Sequence, residues 1–263
     1  MAWMELLGSW SSIGAILLAV ALLLVVEMSR RKMRRLIQIQ FTPADGYDHL
    51  RLALPHLPRG LRVVCLSDTH NAHRDLQLPA GDVLIHAGDF TQFGKEEHAS
   101  DFNDWLGEQP HKIKLVVLGN HENNSSWNSR APEILSNATL LRQSEFELAV
   151  SDDQSLKVFG TDFFWPCPSG NPYFDQIPED TDILIAHGPA KGCADGTKGC
   201  PALLKAVEGR HLQLVVSGHV HFARGAALMR QPDGHETVLV NAANCGSGKD
   251  ERKLTRGPLV IDL

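Results

Sequence analysis

The side chains of this 263-residue chain best suited to chemistry fall into five short groups. Asp68 and His70 are separated by one residue, Asp89 follows Gly88, Asn120 and His121 lie between Gly119 and Glu122, His187 stands alone, and His219 and His221 are again one residue apart. Carboxylate and amide oxygens mixed with imidazoles, with no thiolate among them, suit Mn, Fe, Zn or Mg and not a soft metal. Two divalent ions about 3.5–4 Å apart need a ligand in common, and a carboxylate is the natural bridge. Asp89 is expected to be that bridge. In extended chain, residues i and i+2 face the same side, so Asp68 with His70, and His219 with His221, can each serve one shared cluster.

Each group follows a short, mostly apolar run: residues 63–67, 84–87, 115–118, 183–186 and 214–217. Such runs read as buried parallel strands, whose C-terminal ends hold ligands in open α/β sheets. Residues 96–108 predict a helix with Phe102, Trp105 and Leu106 on one face, and residues 201–208 a second helix that opens on Pro201. Residues 145–150 and 156–160 predict an antiparallel pair, and residues 226–229, 237–241 and 259–262 three further short strands. Alternating βα units followed by antiparallel pairs predict an α/β fold of two mixed sheets packed face to face, with helices outside. The aromatic-rich residues 161–173 form a loop that either walls the site or packs the core. His56, His86, His111, His211 and His235 read as core or surface residues, and Glu122 and Asn71 as supports for the ligands.

Three regions follow from composition: 1–36, 37–59 and 60–263. Residues 3–26 carry one charge, Glu5, and at about 36 Å of helix would cross a hydrocarbon core of roughly 30 Å. The basic cluster Arg30, Arg31, Lys32, Arg34 and Arg35 follows that run, so the expectation is a single-pass anchor with everything after residue 36 in the cytosol, not a cleaved signal. Residues 37–59 read as a linker, and residues 60–263 as the functional domain. The net charge is −6; beyond residue 36 the chain holds 20 basic and 29 acidic side chains, which argues against nucleic acid as a partner. The cysteines, Cys65, Cys167, Cys193, Cys200 and Cys245, are odd in number and scattered, as expected of reduced thiols.

Together, Asp68-x-His70, Gly88-Asp89, Gly119-Asn120-His121-Glu122, His187 and Gly218-His219-x-His221 resemble the motif set of the calcineurin-like metallophosphoesterase superfamily. The surrounding residues, among them Ser67-Asp68-Thr69-His70, Ala87-Gly88-Asp89-Phe90-Thr91 and Ala186-His187-Gly188-Pro189, are similar to its metallophosphoesterase-domain-containing subgroup, which is related to class III cyclic nucleotide phosphodiesterases. The resemblance implies a four-layered α/β/β/α sandwich. It implies that Asp68, His70, Asp89 and His221 bind one ion and Asp89, Asn120, His187 and His219 the other. His121 would stand off the metals and meet the phosphoryl group as the catalytic residue. The expected activity is hydrolysis of a small phosphate diester or nucleotide by a metal-bridging hydroxide. A phosphomonoesterase, or a membrane-tethered scaffold that binds phosphate with little turnover, are the alternatives. Asp89 is followed by Phe90, Thr91 and Gln92 where Ser/Thr protein phosphatases carry Gly-Asp-x-x-x-Arg, which argues against a phosphoprotein substrate.

Overall fold

The computed structural model describes residues 35–44, 46–52, 60–231 and 233–263. The apolar residues 3–26, expected as a membrane anchor, lie outside the described residues. Among those described, no helix is long and apolar enough to cross a membrane.

Two seven-stranded mixed sheets make up the fold. One runs, in spatial order, β2 (Thr42–Ala44), β3 (Tyr47–Arg51), β14 (Leu259–Asp262), β4 (Arg62–Leu66), β5 (Val83–His86), β6 (Ile113–Val116) and β7 (Thr139–Leu140). The other runs β1 (Arg35–Ile39), β12 (Gly225–Arg230), β13 (Glu236–Asn241), β11 (Leu214–Ser217), β10 (Ile183–Ile185), β9 (Gln154–Gly160) and β8 (Ser144–Ser151). The alternation of side chains along each strand builds the layers. Val63 and Cys65 of β4, Ile85 of β5, Ile183 and Ile185 of β10 and Val216 of β11 meet in one core between the sheets. Their neighbours point outward. Val64, Leu66 and Leu84 pack on Phe102, Trp105 and Leu106 of helix α1 (Glu96–Glu108). Leu184 and Val215 pack with Leu203 and Val207 of helix α4 (Pro201–Glu208), which begins on a proline with Cys200 as its cap. Helices thus cover both outer faces, and the strands buried on both sides are apolar through most of their length, as the sequence runs suggested.

Within each sheet the site-bearing strands are neighbours and parallel: β4 with β5 and β5 with β6 in one, β10 with β11 in the other. Their C-terminal ends all lie at the same edge of the sandwich. Two one-turn helices, α2 (Asn120–Asn123) after β6 and α3 (Ala131–Ile134), fall in the stretch that follows.

The reading of residues 37–59 as a linker is corrected. β1 pairs antiparallel with β12, and β3 pairs in parallel with β14, so this stretch extends both sheets. These strands are short and sit at or near sheet edges, where a polar run such as Thr42-Pro43-Ala44 needs no apolar alternation. All five cysteines are free thiols.

Candidate metal centre

Asp68 follows β4 and Asp89 follows β5. The two loops are joined by main-chain bonds, the Asp68 N–H to the Gly88 carbonyl at 3.0 Å and the His70 N–H to the Asp89 carbonyl at 3.1 Å. To turn the side chains inward, the backbone leaves the strand conformation. Asp68 (φ 55°), His70 (φ 43°), Asn71 (φ 71°), Asp89 (φ 55°) and His219 (φ 65°) are all left-handed, five of the eight non-glycine residues so placed among those described. Each such residue costs on the order of 1–2 kcal/mol, and strain collected in one place marks a site the fold holds open for function. This overturns the expectation that Asp68 with His70, and His219 with His221, share a side of extended chain; His221 in fact begins a 3-10 turn.

Three groups of donor atoms come together, each within 4.8 Å: Asp68, His70 and His221; Asp89, His187 and His219; and His70, Asp89 and His121. The Asn120 amide oxygen joins the second group, 3.2 Å from His187 Nε2, which is itself 3.2 Å from Asp89 Oδ2. All seven residues expected as metal ligands therefore share one cluster. His121 lies at its rim, 27% exposed, with Nε2 3.7 Å from Asp89 Oδ2 and its backbone N–H donated to Asp89 Oδ1 at 3.0 Å.

The histidines face inward by a shared device. His187 Nδ1 lies 2.7 Å from the Ala87 carbonyl, His221 Nδ1 2.7 Å from the Gly246 carbonyl, and His70 Nδ1 3.1 Å from the Thr91 carbonyl. A carbonyl only accepts, so each Nδ1 carries a proton and Nε2 is the nitrogen left to face the carboxylates and any cation. Metal-ligating histidines are oriented in just this way. None of these carbonyls belongs to a residue whose side chain announces the role. Glu122, by contrast, was legible in Gly-Asn-His-Glu. Fully buried, it accepts the N–H groups of Asp89 and Gly119 at 2.9 Å each and of Thr91 at 2.8 Å, so it grips both loops beside the ligands. Burial and the nearby Asp89 charge push its carboxyl up to about 7.

Asp68 is 0% and Asp89 2% exposed. Burial pushes the Asp68 carboxyl up, but the hydrogen bond from His221 and the charges of His187, His221 and His70 outweigh it and hold the group well below the carboxylate range. His187 is the converse: burial lowers it, yet Asp89 and Asp68 drive it up to about 9. Burial and the charge of His187 push His219 down to about 4. Among the described residues no lysine or arginine comes within ion-pair distance of either carboxylate. Two buried anions ringed by Nε2 lone pairs and an amide oxygen are a donor set that fits divalent cations.

The model of the calcineurin-like phosphoesterases matches residues 61–223, which spans every strand end just described except the last carbonyl at Gly246. The chain belongs to this family. Among its relatives, human metallophosphoesterase domain-containing protein 1 is 33% identical over 250 residues, covering 80% of this chain and 73% of that protein. A UPF0046 protein of Caenorhabditis elegans is 34% identical over 244 residues, covering 80% and 75%. As a calcineurin-like phosphoesterase, the chain is a hydrolase-family protein whose clustered His and Asp residues fit metal.

Aromatics complete the wall of this phosphoesterase site. Phe163 packs with its ring centre 5.3 Å from His187 and 5.1 Å from His219, and Trp165 sets its edge 4.4 Å from His219. Of the two readings open for residues 161–173, these two side chains take the wall. His86, left aside as a core residue, is one: its Nε2 is bonded to Thr69 Oγ1 at 3.0 Å and its ring packs edge to face against the stacked pair Phe90 and Phe102.

Two glycines are required by close approach. A Cβ at Gly218 would strike Ser67 Oγ and Asp68 Oδ2, and one at Gly119 would strike the Asp89 carboxylate. Gly218→Ala should therefore displace the Asp68 carboxylate and lower bound metal at least tenfold while the fold survives. Elemental analysis beside a thermal melt checks this; full metal content in the variant would contradict the packing described.

Proposed function

We propose that the chain is a dinuclear metal-dependent phosphodiesterase acting on a small phosphate diester or nucleotide. Asp68, His70 and His221 would hold one ion, Asn120, His187 and His219 the other, and Asp89 would reach both. Mn, Fe, Zn and Mg all match the donors. The observation that carries the reading is the burial of Asp68 and Asp89 together, with imidazole nitrogens as their only ion-pair partners among the described residues. When bound, such a pair of ions supplies hydroxide at neutral pH, the pKa of water falling from 15.7 to about 7, and offsets charge on the phosphoryl oxygens.

The side chains of the protein do the remaining work. The carbonyls of Ala87, Thr91 and Gly246 fix Nδ1 as the donor of three imidazoles, which leaves each Nε2 to the cations. Phe163 and Trp165 exclude water from the His187 and His219 side. His121 gives a proton to the leaving oxygen; its ring lies at the partly exposed rim, Nε2 3.7 Å from Asp89 Oδ2, while its main chain stays fixed on Asp89.

The run of apolar residues 3–26 followed by basic residues supports a membrane tether, with the phosphoesterase domain on the cytosolic side. If so, the protein is released from membranes by detergent and resists alkaline carbonate; release by carbonate alone would remove the tether from the account.

Manganese-loaded protein should hydrolyse bis-p-nitrophenyl phosphate faster than p-nitrophenyl phosphate. The reverse order would assign a monoesterase, and no turnover of either, with metal bound, a binding scaffold. His121→Ala should keep its metal and lose roughly 10²–10⁴-fold in kcat, the range for removal of a general acid. Metal lost along with activity would make His121 a ligand instead.

A further inference from the structure

Outside the ring of ligands, a cavity of about 260 Å³ opens beside His219 and His221 and is lined by Trp165, Lys198, Phe222, Ser247 and Glu251. This is below the roughly 300–1,000 Å³ of pockets that enclose a whole ligand, so it suits one part of a substrate. Its walls are built. Phe222 lies against Gly196, where any Cβ would strike its ring. The loop that carries Lys198 is shaped by Asp195, whose buried carboxylate accepts the N–H groups of Gly192, Thr197 and Gly199 at 2.8, 3.1 and 2.9 Å. The buried Asn241 amide donates to the Ala194 carbonyl at 3.1 Å and to the Val220 carbonyl at 2.9 Å. That residue thereby fixes the Lys198 loop to the segment bearing His219 and His221. No carboxylate comes within ion-pair distance of the Lys198 ammonium among the described residues, so its three donors are open to a ligand.

A second aromatic stands across the site. The Phe93 ring centre is 6.3 Å from that of His121, and the Arg252 guanidinium sits 4.7 Å over the Phe93 ring. Among the described residues four large apolar side chains are exposed, Ile37, Phe93, Tyr173 and Phe222, and the two most exposed, Phe222 at 61% and Phe93 at 59%, flank the metal centre. One segment spans both: Gly246 anchors His221, Glu251 lines the cavity and Arg252 covers Phe93. An aromatic left this open, beside a lined cavity, is unspent contact area.

We infer that the Trp165–Phe222 cavity receives the ester substituent that stays on phosphorus, and that this substituent is a flat aromatic or nucleoside group whose acceptor atoms meet Lys198. The inference rests on the diesterase reading. The sides are assigned by His121: the group that accepts its proton departs past Phe93, so the substituent on the His219 and His221 side is retained. In the reaction water adds its oxygen to phosphorus, the P–O bond to the departing group breaks, one proton goes to that oxygen, and the monoester of the retained group is released. A monoester substrate has no substituent besides the one that departs, so its turnover leaves the cavity empty, whereas the monoester product of a diester still occupies it.

Two diesters with the same leaving group isolate the retained one. For the full chain loaded with manganese, kcat/KM for p-nitrophenyl phenyl phosphate should exceed that for methyl p-nitrophenyl phosphate by on the order of tenfold, since stacking and burial of one ring are worth about that much. Phe222→Ala should bring the ratio close to one, and Phe222→Tyr should restore it. Calorimetric titration with phenyl phosphate and methyl phosphate, which carry the same two groups, should show the same preference and the same dependence on Phe222 without turnover. A wild-type ratio near one, or a ratio that Phe222→Ala leaves unchanged, overturns the inference. A Phe222-dependent preference in binding, in a protein that hydrolyses neither diester, would uphold the aromatic cavity and overturn the hydrolytic reading.

Discussion

Two ionised carboxylates, Asp68 and Asp89, are buried next to each other at the ends of neighbouring strands, and most of what surrounds them answers the charge this creates. Removing one carboxylate from water costs several kcal/mol, and a second anion beside it adds repulsion. The fold offsets this with a ring of imidazoles and with backbone N–H groups: that of His219 reaches both Asp68 oxygens, at 3.1 and 2.9 Å, and that of His121 reaches Asp89. Burial pushes both carboxyls up, but the hydrogen bond of His221 to Asp68 and the charge and hydrogen bond of His187 at Asp89 outweigh it, hold both below the ordinary carboxylate range and keep the pair ionised and ready for cations.

The sandwich is what makes such a pair tolerable. Strands buried on both faces fix their own ends, and five such ends at one edge bring seven ligand side chains together while sharing the strain among several loops. Close approach then becomes a design constraint, met by glycine at positions 119 and 218. Glu122 locks the loops after β5 and β6 to each other through four hydrogen bonds, one of them from Thr91 Oγ1. The result is a stiff floor beneath an open mouth, and the two most exposed aromatics among the described residues, Phe222 and Phe93, stand at that mouth.

The floor was legible in the sequence because it obeys two simple rules: apolar runs of four or five residues make buried parallel strands, and polar residues at their ends gather where the strands stop. Helix α1 follows from Phe102, Trp105 and Leu106 alone, and its span agrees with the expectation to the residue. Three things were not legible. A buried strand carries no mark of which sheet it joins, so nothing in the five runs assigns β4, β5 and β6 to one sheet and β10 and β11 to the other. The Asp-x-His and His-x-His spacings suggested extended chain, but aiming a short side chain back over a strand end takes a left-handed turn, which Asp and His tolerate better than most residues without requiring it. The carbonyls that orient the histidines are main-chain atoms, and strands at or next to a sheet edge, such as β1 and β3, lack the alternation that would have separated them from a linker.

The most direct measurement of the central claim is anomalous diffraction from crystals of the manganese-loaded protein. Two peaks about 3.5–4 Å apart, with the Asp89 carboxylate in reach of both, are predicted. A single peak, or two peaks of which Asp89 touches neither, would contradict it.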